Sequence, residues 1–374
     1  MAYLMVDLFA GCGGLSTGLE QAGFTPWFVN EIEPNFCNTY KRNHPQLSDD
    51  HYYVGDINKL NEDIEEYRHL LKDISIVCGG PPCQGFSMAN RQRIIDDPRN
   101  NLYKAYLTFL REVRPAFFVM ENVRGMRNKI DEIEQDFADY LGDEYKYSFA
   151  ILNAQDYGVP QNRERFIMIG NRVDVDPKQV FEEIYKLKRT PFVLRDALEG
   201  LPGLQSKSEK GKTDVECVQS GYTECIHEYV INDFYRFING DKVLDKLYNH
   251  KNRYNNERDI EIFRRLPQGA NSLHESIADI MPYSRRNDIF KDKYYKLREC
   301  QVCRTITSHM KYDCNMYIHP WEARGLSPRE AARIQTFPDD YIFTGPQNAW
   351  YAQIGNAVPV KLAYVIGSAI KKFL

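Results

Sequence analysis

The chain has 374 residues but lacks any apolar run that approaches the ~20 residues needed to cross a membrane. It also lacks the features of a secretory signal, because the opening stretch MAYLMVDLFAGCGG has no basic residue and carries Asp7 inside its apolar run. The nine cysteines are odd in number and scattered, which favours free thiols over a disulfide framework. We therefore expect a cytoplasmic protein with no membrane partner.

A large excess of one charge is also missing, since the formal net charge is −4. By itself this value argues weakly against a nucleic-acid partner. Acids outnumber bases by 29 to 20 in residues 1–187, whereas bases outnumber acids by 21 to 18 in residues 188–310 and by 7 to 5 in residues 311–374. The later regions are the more basic, which permits a local surface for nucleic acid.

The first part of the chain alternates short apolar runs with segments of helical pattern. Strands are predicted at residues 3–9, 25–30, 74–78, 116–120, 147–152 and 165–169. Helices are predicted at residues 14–22, 34–43 and 102–113, the first ended by a glycine and the second opened by a proline. This alternation predicts an α/β fold with a doubly wound, mostly parallel sheet and right-handed crossovers.

The pattern changes after about residue 188. Residues 207–317 are polar, rich in Asn, Arg and Tyr, and weakly periodic. A helix is predicted at 327–334, with Ser327 as its cap, Pro328 at its first position and Glu330 completing a capping box. A closing helix is predicted at 360–372. We expect residues 1–188, completed by about 345–374, to form one domain and residues 189–344 a second, smaller one.

Glycines crowd the first predicted strand-to-helix turn, in the segment DLFAGCGGLS. Gly11, Gly13 and Gly14 let the backbone turn tightly and approach a ligand closely. Glu31 ends the second predicted strand, where a carboxylate can hold both hydroxyls of a ribose, and Asp56 can accept from an adenine amino group. The pattern predicts an adenosine-type cofactor; the alternative is the ordinary loop glycines and strand-end acids of an α/β domain.

A stiff loop of sequence GGPPCQGFS follows the predicted strand at 74–78. Its two prolines restrict the backbone. Cys83 then lies beyond the carboxyl end of a strand, where ligands bind in open α/β sheets. A nucleophilic cysteine needs partial exposure and help in forming its thiolate. The setting predicts a catalytic thiol, with a structural loop thiol as the alternative.

Charged side chains accompany two later strands. Glu121 follows the strand at 116–120 and should face the same crevice as Cys83, where a half-buried carboxyl can donate to a ring nitrogen; the alternative is a helix N-terminal acid.

Arg163 and Arg165 alternate along an extended stretch and should share one side of it. Such a pair suits phosphate or a base carbonyl, or is a plain surface charge run. The segment QIGNAVP before the last helix is a weaker signal.

The sequence thus contains, in order, the glycine turn, the cysteine loop, Glu121, the arginine pair and the QIGNAVP segment. These five elements resemble those of the DNA (cytosine-5) methyltransferase family and of its bacterial type II modification methylases. The likeness covers residues 3–172 and about 304–366. It implies that Cys83 is the nucleophile that attacks carbon 6 of cytosine and that Glu121 bonds ring N3 and the exocyclic amine. Arg163 and Arg165 would support the flipped base and the cysteine loop. The implied cofactor is S-adenosylmethionine, with S-adenosylhomocysteine as its product.

The resemblance also implies which residues line the cofactor pocket. Ile32 and Ile57 would sandwich the adenine. The other residues assigned to the pocket are Asp7, Phe9, Gly11, Gly13, Gly14, Leu15, Glu31, Asp56, Pro81, Leu102, Asn356 and Val358.

In this family the variable segment, here about residues 189–304, reads the sequence of double-stranded DNA. Side chains able to bond phosphates and base edges are present there at Arg253, Arg258, Arg264, Arg265, Arg285 and Arg286, although most such groups are simply solvated. Arg324 and residues 327–338 match the element that packs under the recognition domain. We further expect a monomer, and a restriction endonuclease that acts on the same site without binding this chain.

Two other functions stay open on the sequence. A relative that methylates tRNA would carry a Cys-Phe-Thr element, for which the closest stretch here is Cys225-Ile-His. A nucleotide-binding regulator with a dead site would need a broken cysteine loop, whereas Cys83, Glu121 and both arginines are present.

A single CxxC gives a weak pattern for structural zinc. Its members are Cys300 and Cys303, with Cys217, Cys225 and His227 upstream. We expect incidental thiols and no metal.

Overall fold

The computed structural model describes residues 2–82, 102–210, 216–282 and 293–374. The chain divides into two compact units. The first unit comprises Met1–Gly158, Arg163–Thr190 and Ala357–Leu374, and the second comprises Val159–Asn162 and Pro191–Asn356. The late boundary between the units lies at residue 356, because the last helix before it groups with the second unit.

Nine strands are present in the described ranges: β1 (Tyr3–Leu8), β2 (Phe24–Glu31), β3 (Tyr52–Val54), β4 (Ile76–Gly79), β5 (Phe117–Val123), β6 (Lys146–Asn153), β7 (Glu164–Asn171), β8 (Gly221–Ile226) and β9 (Lys246–Lys251). The first seven form one sheet in the order β3-β2-β1-β4-β5-β7-β6. Strands β1 to β5 pair in parallel. This confirms the α/β class and the mostly parallel sheet.

The α-helices of the described residues are α1 (Gly14–Gln21), α2 (Pro34–Asn43), α3 (Ile57–Glu62), α4 (Ile64–Tyr67), α5 (Leu102–Val113), α6 (Ile130–Leu141), α7 (Pro177–Lys186), α8 (Leu194–Leu198), α9 (Asp233–Asn239), α10 (Glu257–Arg265), α11 (Pro328–Ile334), α12 (Gln347–Asn356) and α13 (Val360–Ile370). Helix α2 begins and ends at the predicted residues, and the proline at its first position fixes φ at the start of the helix. No helix of these residues is long and apolar enough to cross a membrane.

Strand β7 runs opposite to both of its neighbours, β5 and β6. The sheet is therefore not wholly parallel. Only residues 154–163 separate β6 from β7, and antiparallel neighbours need no crossover helix between them. Apolar patterning identified both strands but carries no information on their direction. One consequence matters for the site: the start of β7 lies beside the end of β5, with Arg165 opposite Val123.

The centre of the sheet is covered on both faces. Val77, Phe118, Met120 and Met168 have no solvent exposure and belong to one apolar core, as expected for strands that read as continuous hydrophobic runs. Helix α1 packs on α13 at backbone distance, since a Cβ added to Gly18 would lie 2.3 Å from Val360 O. The last helix thus packs within the first unit.

The second unit contains regular structure that sequence periodicity did not predict. Strands β8 and β9 form an antiparallel pair. Asn232 caps α9 by accepting from Tyr235 N, and Asn256 caps α10 by accepting from Asp259 N. Some of the asparagines that made this region look featureless are therefore helix caps.

Helix α11 has the capping box that was predicted. Ser327 accepts from Glu330 N, and the Glu330 carboxylate accepts from Ser327 N. Arg324 also bonds both oxygens of Glu330, at 2.6 and 2.8 Å, within the interior of the second unit. Although burial opposes it, Arg324 holds the pKa of Glu330 well below its usual range. The pair is a buried, bidentate contact that fixes the start of α11.

Candidate active site

The turn between β1 and α1 has the backbone geometry of a ligand-binding turn. Gly11 and Gly13 have φ values of 58° and 89°, and Phe9 is also left-handed at 54°. A non-glycine residue in that region is strained, and such strain is concentrated at functional sites. No described atom lies within 4 Å of a Cβ built on Gly11. As far as the described residues extend, the turn therefore faces open space beyond the end of β1.

Glu31 holds this turn from the end of β2. Its Oε2 accepts from Gly11 N at 2.7 Å and its Oε1 accepts from Glu33 N at 2.9 Å. Burial raises the pKa of Glu31, and these backbone N–H groups oppose the shift. A carboxylate has about four acceptor positions, and the backbone N–H groups of Glu33, Gly11 and Ile32 act on Glu31, so Glu31 keeps capacity for a ligand hydroxyl group.

Asp7 lies beneath the turn. It is 1% exposed and accepts a hydrogen bond from the Ser16 hydroxyl. Burial raises the pKa of Asp7 to about 7, against hydrogen bonds from Ser16 and Cys78. The carboxyl group thus ties β1 to the first turn of α1 and supports the glycines from below.

The remaining residues assigned to the cofactor pocket differ in their surroundings. Ile32 is 60% exposed, whereas Ile57 is 2% exposed and packs in the main core. Asp56 caps α3 by accepting from Asn58 N at 2.8 Å. Of the others, Gly14, Leu15, Pro81 and Val358 are buried, Leu102 is half-buried and Asn356 is exposed. The apolar side chain of Ile32 is therefore open to its surroundings, while Ile57 fills the core.

Glu121 and Arg165 form an ion pair at the neighbouring strand ends. Strand β5 continues through Val123, so Glu121 lies within the strand and not after it. Arg165 Nε lies 2.8 Å from Glu121 Oε1, and each side chain is 13% exposed. Burial lowers the pKa of Arg165 and the Glu121 charge opposes that shift. The guanidinium holds one carboxylate oxygen and leaves the other for a different partner.

Gly80 and Asn122, which were not singled out from the sequence, join the Glu121 strand to the loop after β4. A Cβ built on Gly80 would lie 2.9 Å from Glu121 Oε2. Asn122 Nδ2 donates to Pro81 O at 2.8 Å, and Asn122 is 5% exposed. The first residues of the GGPPC loop are thereby fixed against β5. The Glu-Asn-Val motif includes Asn122, so the residue could have been noticed in the sequence. Its contact with Pro81 depends on which strands are neighbours, and apolar patterning cannot identify them.

Arg163 has a different partner from Arg165. It is 2% exposed, and its Nη2 donates to Ala357 O at 2.9 Å. Its backbone is held by Asn153 Oδ1, which accepts from Arg163 N at 3.1 Å. Arg163 therefore links the arginine motif to the QIGNAVP segment, whereas Arg165 links it to Glu121.

Cys83 lies outside the described residues, as do Arg285 and Arg286. Within the described ranges no group of three or more His, Cys, Asp and Glu is placed to hold a metal ion. Cys300 is exposed and Cys303 is buried.

Several arginines proposed as DNA contacts are engaged within the second unit. Arg253 donates to Met310 O, Lys311 O and Asn348 Oδ1, at 2.5 to 2.7 Å. These bonds join Arg253 to two other segments of that unit, so the side chain has a structural role there. Arg264 and Arg265 both pair with Glu261. Arg258 is exposed and stays a candidate.

Comparison with known proteins agrees with this arrangement. A model of the family "C-5 cytosine-specific DNA methylase" matches residues 3–372. The type II methyltransferase M.DdeI of Desulfomicrobium norvegicum is 30% identical, over 98% of this chain and 88% of that protein. M1.HphI of Haemophilus parahaemolyticus is 32% identical, over 100% and 87%. A crystal structure of a prophage-encoded E. coli protein, assigned as a DNA modification methyltransferase, superposes with a TM-score of 0.78 at 26% identity, covering 100% of this chain and 99% of that one.

The open, mostly parallel sheet, with the glycine turn after β1 and the Glu121–Arg165 pair on β5 and β7, has the α/β fold of a methyltransferase. The chain belongs to the C-5 cytosine-specific DNA methylase family. It transfers a methyl group from S-adenosylmethionine to carbon 5 of cytosine in DNA. The observed residues fit that cofactor, since the turn at Gly11 opens onto free space and Glu31 keeps acceptor capacity beside it.

Removal of the Glu31 carboxylate is expected to weaken binding of S-adenosylmethionine. In Glu31→Ala the N–H groups of Gly11 and Glu33 lose their acceptor, and hydrogen bonds to a charged group contribute about 1.5–3 kcal/mol. We expect the Kd for the cofactor to rise by about tenfold or more, as measured by calorimetry. Glu33→Ala, two residues away and exposed, is the control and should bind normally. If Glu31→Ala bound S-adenosylmethionine as tightly as the Glu33→Ala control, Glu31 would not belong to the cofactor site.

Proposed function

We propose that the enzyme methylates cytosine within a specific sequence of double-stranded DNA, through a covalent bond between Cys83 and the flipped base. Carbon 5 of cytosine is a poor nucleophile. Addition of the Cys83 thiolate to carbon 6 forms an S–C6 bond and shifts the C5–C6 π electrons towards carbon 5. When bound, S-adenosylmethionine supplies an electrophilic methyl group for that carbon. Loss of the carbon 5 proton and expulsion of the thiolate then restore the ring.

Glu121 stabilises the addition. In its protonated form the Glu121 carboxyl group donates a hydrogen bond to ring N3, which counts most while charge develops there, so it lowers the barrier more than it strengthens ground-state binding. Arg165 Nε, 2.8 Å from Glu121 Oε1, sets the orientation of this carboxylate. Arg163 supports the site indirectly, through its bond to Ala357 O.

The reacting carbons of cytosine are inaccessible inside a stacked duplex, so the base must rotate out of the helix before Cys83 can reach it. The second unit, corresponding to the family's variable region, would read the surrounding sequence through phosphate and base-edge contacts. We propose that the enzyme acts as a monomer and that a restriction endonuclease cuts the same site without binding it.

The observation that carries this proposal is the contact between the Glu121 strand and the start of the cysteine loop. Glu121 Oε2 faces Gly80, and Asn122 holds Pro81 O. Cys83 follows Pro81 by two residues in the sequence. The described start of the cysteine loop is therefore held beside the Glu121 carboxyl group, two residues before Cys83 in the sequence.

Methylation of tRNA is the second candidate. Crystal structures of Dnmt2 proteins from S. pombe and Spodoptera frugiperda superpose with a TM-score of 0.54 at 15% and 16% identity, which supports the shared fold alone. The type II DNA methyltransferases, at 30% identity and above, favour DNA.

Trapping with 5-fluorocytosine tests both the covalent step and the substrate. Fluorine at carbon 5 leaves no proton to remove, so the Cys83–C6 bond should persist. Incubation with cofactor and a random-sequence duplex library that contains 5-fluorocytosine is expected to give a protein–DNA adduct stable to denaturing electrophoresis. The same library with ordinary cytosine is the control. An adduct with 5-fluorocytosine tRNA but none with duplex DNA would overturn the DNA assignment.

A further inference from the structure

Asn30, the residue before Glu31 in β2, is bonded to two turns at the same edge of the sheet. It is 2% exposed. Its Nδ2 donates to Tyr53 O at 3.1 Å and to Gly55 O at 2.9 Å. Its main-chain oxygen accepts from Ala10 N, in the glycine turn, at 3.0 Å. One buried residue near the end of β2 is therefore bonded to the turn after β1 and to the segment that leaves β3.

The strand before the second turn is short. Strand β3 comprises only Tyr52–Val54 and lies at the edge of the seven-stranded sheet, beside β2. Just beyond it, Gly55 N donates to Glu31 O at 3.1 Å. An amide nitrogen carries two hydrogens, and Asn30 uses both on main-chain oxygens of this segment. Its side chain thus adds two bonds to a strand whose own ladder is very short.

Asp56 follows this turn, and the sequence predicts that its carboxylate accepts from the amino group of adenine. Asp56 is exposed. Asn58 N and Asn58 Nδ2 donate to its Oδ1 at 2.8 and 2.9 Å, which leaves Oδ2 to accept from a ligand. On the other side of Asp56, the peptide that joins it to Gly55 is held by Asn30 at the Gly55 oxygen. Because a peptide unit is planar, fixing its oxygen also fixes the direction in which the chain enters Asp56.

We propose that Asn30 is a positioning residue for recognition of the adenine ring. It acts through Asp56, by setting the place of that carboxylate relative to Glu31, the residue expected at the ribose. The ribose contact and the adenine contact thereby share one anchor at the end of β2. The inference rests on the predicted contact between Asp56 and the adenine amino group. The alternative is that Asn30 only stabilises the edge strand.

A comparison of two ligands distinguishes these roles. The ligands are S-adenosylhomocysteine and its purine analogue, in which hydrogen replaces the adenine amino group. The analogue cannot donate to Asp56, so the wild-type enzyme is expected to bind it about tenfold more weakly, as for loss of a bond to a charged group. In Asn30→Ala the carboxylate is no longer held in place, and we expect this ratio of Kd values to fall to about twofold or less. Isothermal titration calorimetry without DNA measures both Kd values in each variant.

The ratio is informative because a role confined to stability does not change it. A less stable variant contains less folded protein, which affects both ligands equally. Asp56→Ala lacks the acceptor, so its ratio should also fall to about twofold or less. If Asn30 acts through Asp56, the double variant should bind S-adenosylhomocysteine within about twofold of Asp56→Ala, whereas the effects of independent residues would multiply.

Asn171→Ala is the matched control. Asn171 is a buried asparagine at the end of β7, and it holds the turn that follows through Nδ2 to Val175 O and Oδ1 to Val175 N, at 2.9 and 3.1 Å. It lies opposite Phe117, at the start of β5. The control thus removes a similar clamp at the edge of the sheet away from the carboxyl ends of the parallel strands. Its ratio of Kd values should equal that of the wild type.

A wild-type ratio in Asn30→Ala, or an equal fall in Asn171→Ala, would overturn the proposal. A wild-type ratio in Asp56→Ala would show that Asp56 does not accept from the adenine amino group, and the basis of the proposal would be lost with it. These outcomes are distinct from failure of the proposed function, because the titrations contain no DNA and the 5-fluorocytosine adduct of the wild-type enzyme is measured separately.

Discussion

Replacement of Cys83 by serine is expected to abolish methyl transfer while leaving the cofactor bound. A hydroxyl is far less ionised than a thiol at neutral pH and is a weaker nucleophile towards carbon 6, so the rate should fall by at least about 10³-fold. The proposed cofactor residues are Gly11, in the turn after β1, and Glu31, at the end of β2, and both are unchanged. Transfer of labelled methyl groups to DNA and calorimetric titration with S-adenosylmethionine measure the two properties separately.

Cys300→Ser is the matched control for Cys83→Ser. Cys300 is a free, exposed thiol in the second unit, and its loss should leave transfer within about twofold, as for most surface substitutions. Full activity in Cys83→Ser would eliminate the covalent mechanism. Loss of activity in both variants would point instead to a general requirement for thiols.

The sequence predicted those parts of the fold that depend on local signals. Helix α2 begins at a proline and α11 carries its capping box, and both were located from these residues. Strand β3 has only three residues, Tyr52–Val54, which is too short for an apolar pattern to emerge. The reversed direction of β7 was also missed, because patterning gives the faces of a strand but not its neighbours.

The candidate site shows the same limit. Residue types and spacing pointed to Glu121, Arg163 and Arg165, and the structure brings Glu121 and Arg165 together at 2.8 Å. The alternating positions of Arg163 and Arg165 along an extended stretch gave no reason to distinguish the two arginines. Their partners differ, since Arg163 bonds Ala357 O. That difference arises from the meeting of segments almost 200 residues apart, which no local pattern contains.

Replacement of Gly80, the glycine of the cysteine loop that faces Glu121, is the second change for which we expect a large effect on the rate. In Gly80→Ala the new Cβ would lie 2.9 Å from Glu121 Oε2, closer than carbon and oxygen normally approach. The carboxylate cannot simply rotate away, because Arg165 holds its other oxygen at 2.8 Å. The loop cannot easily retreat either, because Asn122 holds Pro81 O. Either the ion pair or the loop must therefore shift.

A displacement of about 1 Å between reacting groups costs roughly 10²-fold in rate. We expect Gly80→Ala to lower kcat by about that factor, with an unchanged Kd for S-adenosylmethionine and an unchanged melting temperature. Gly203→Ala is the matched control: its Cβ would lie 3.1 Å from Glu322 Oε1, a similar contact with a carboxylate outside the proposed catalytic residues. If kcat in Gly80→Ala stayed within twofold of wild type, Glu121 would not need its observed position, and the role assigned to the Glu121–Arg165 pair would be wrong.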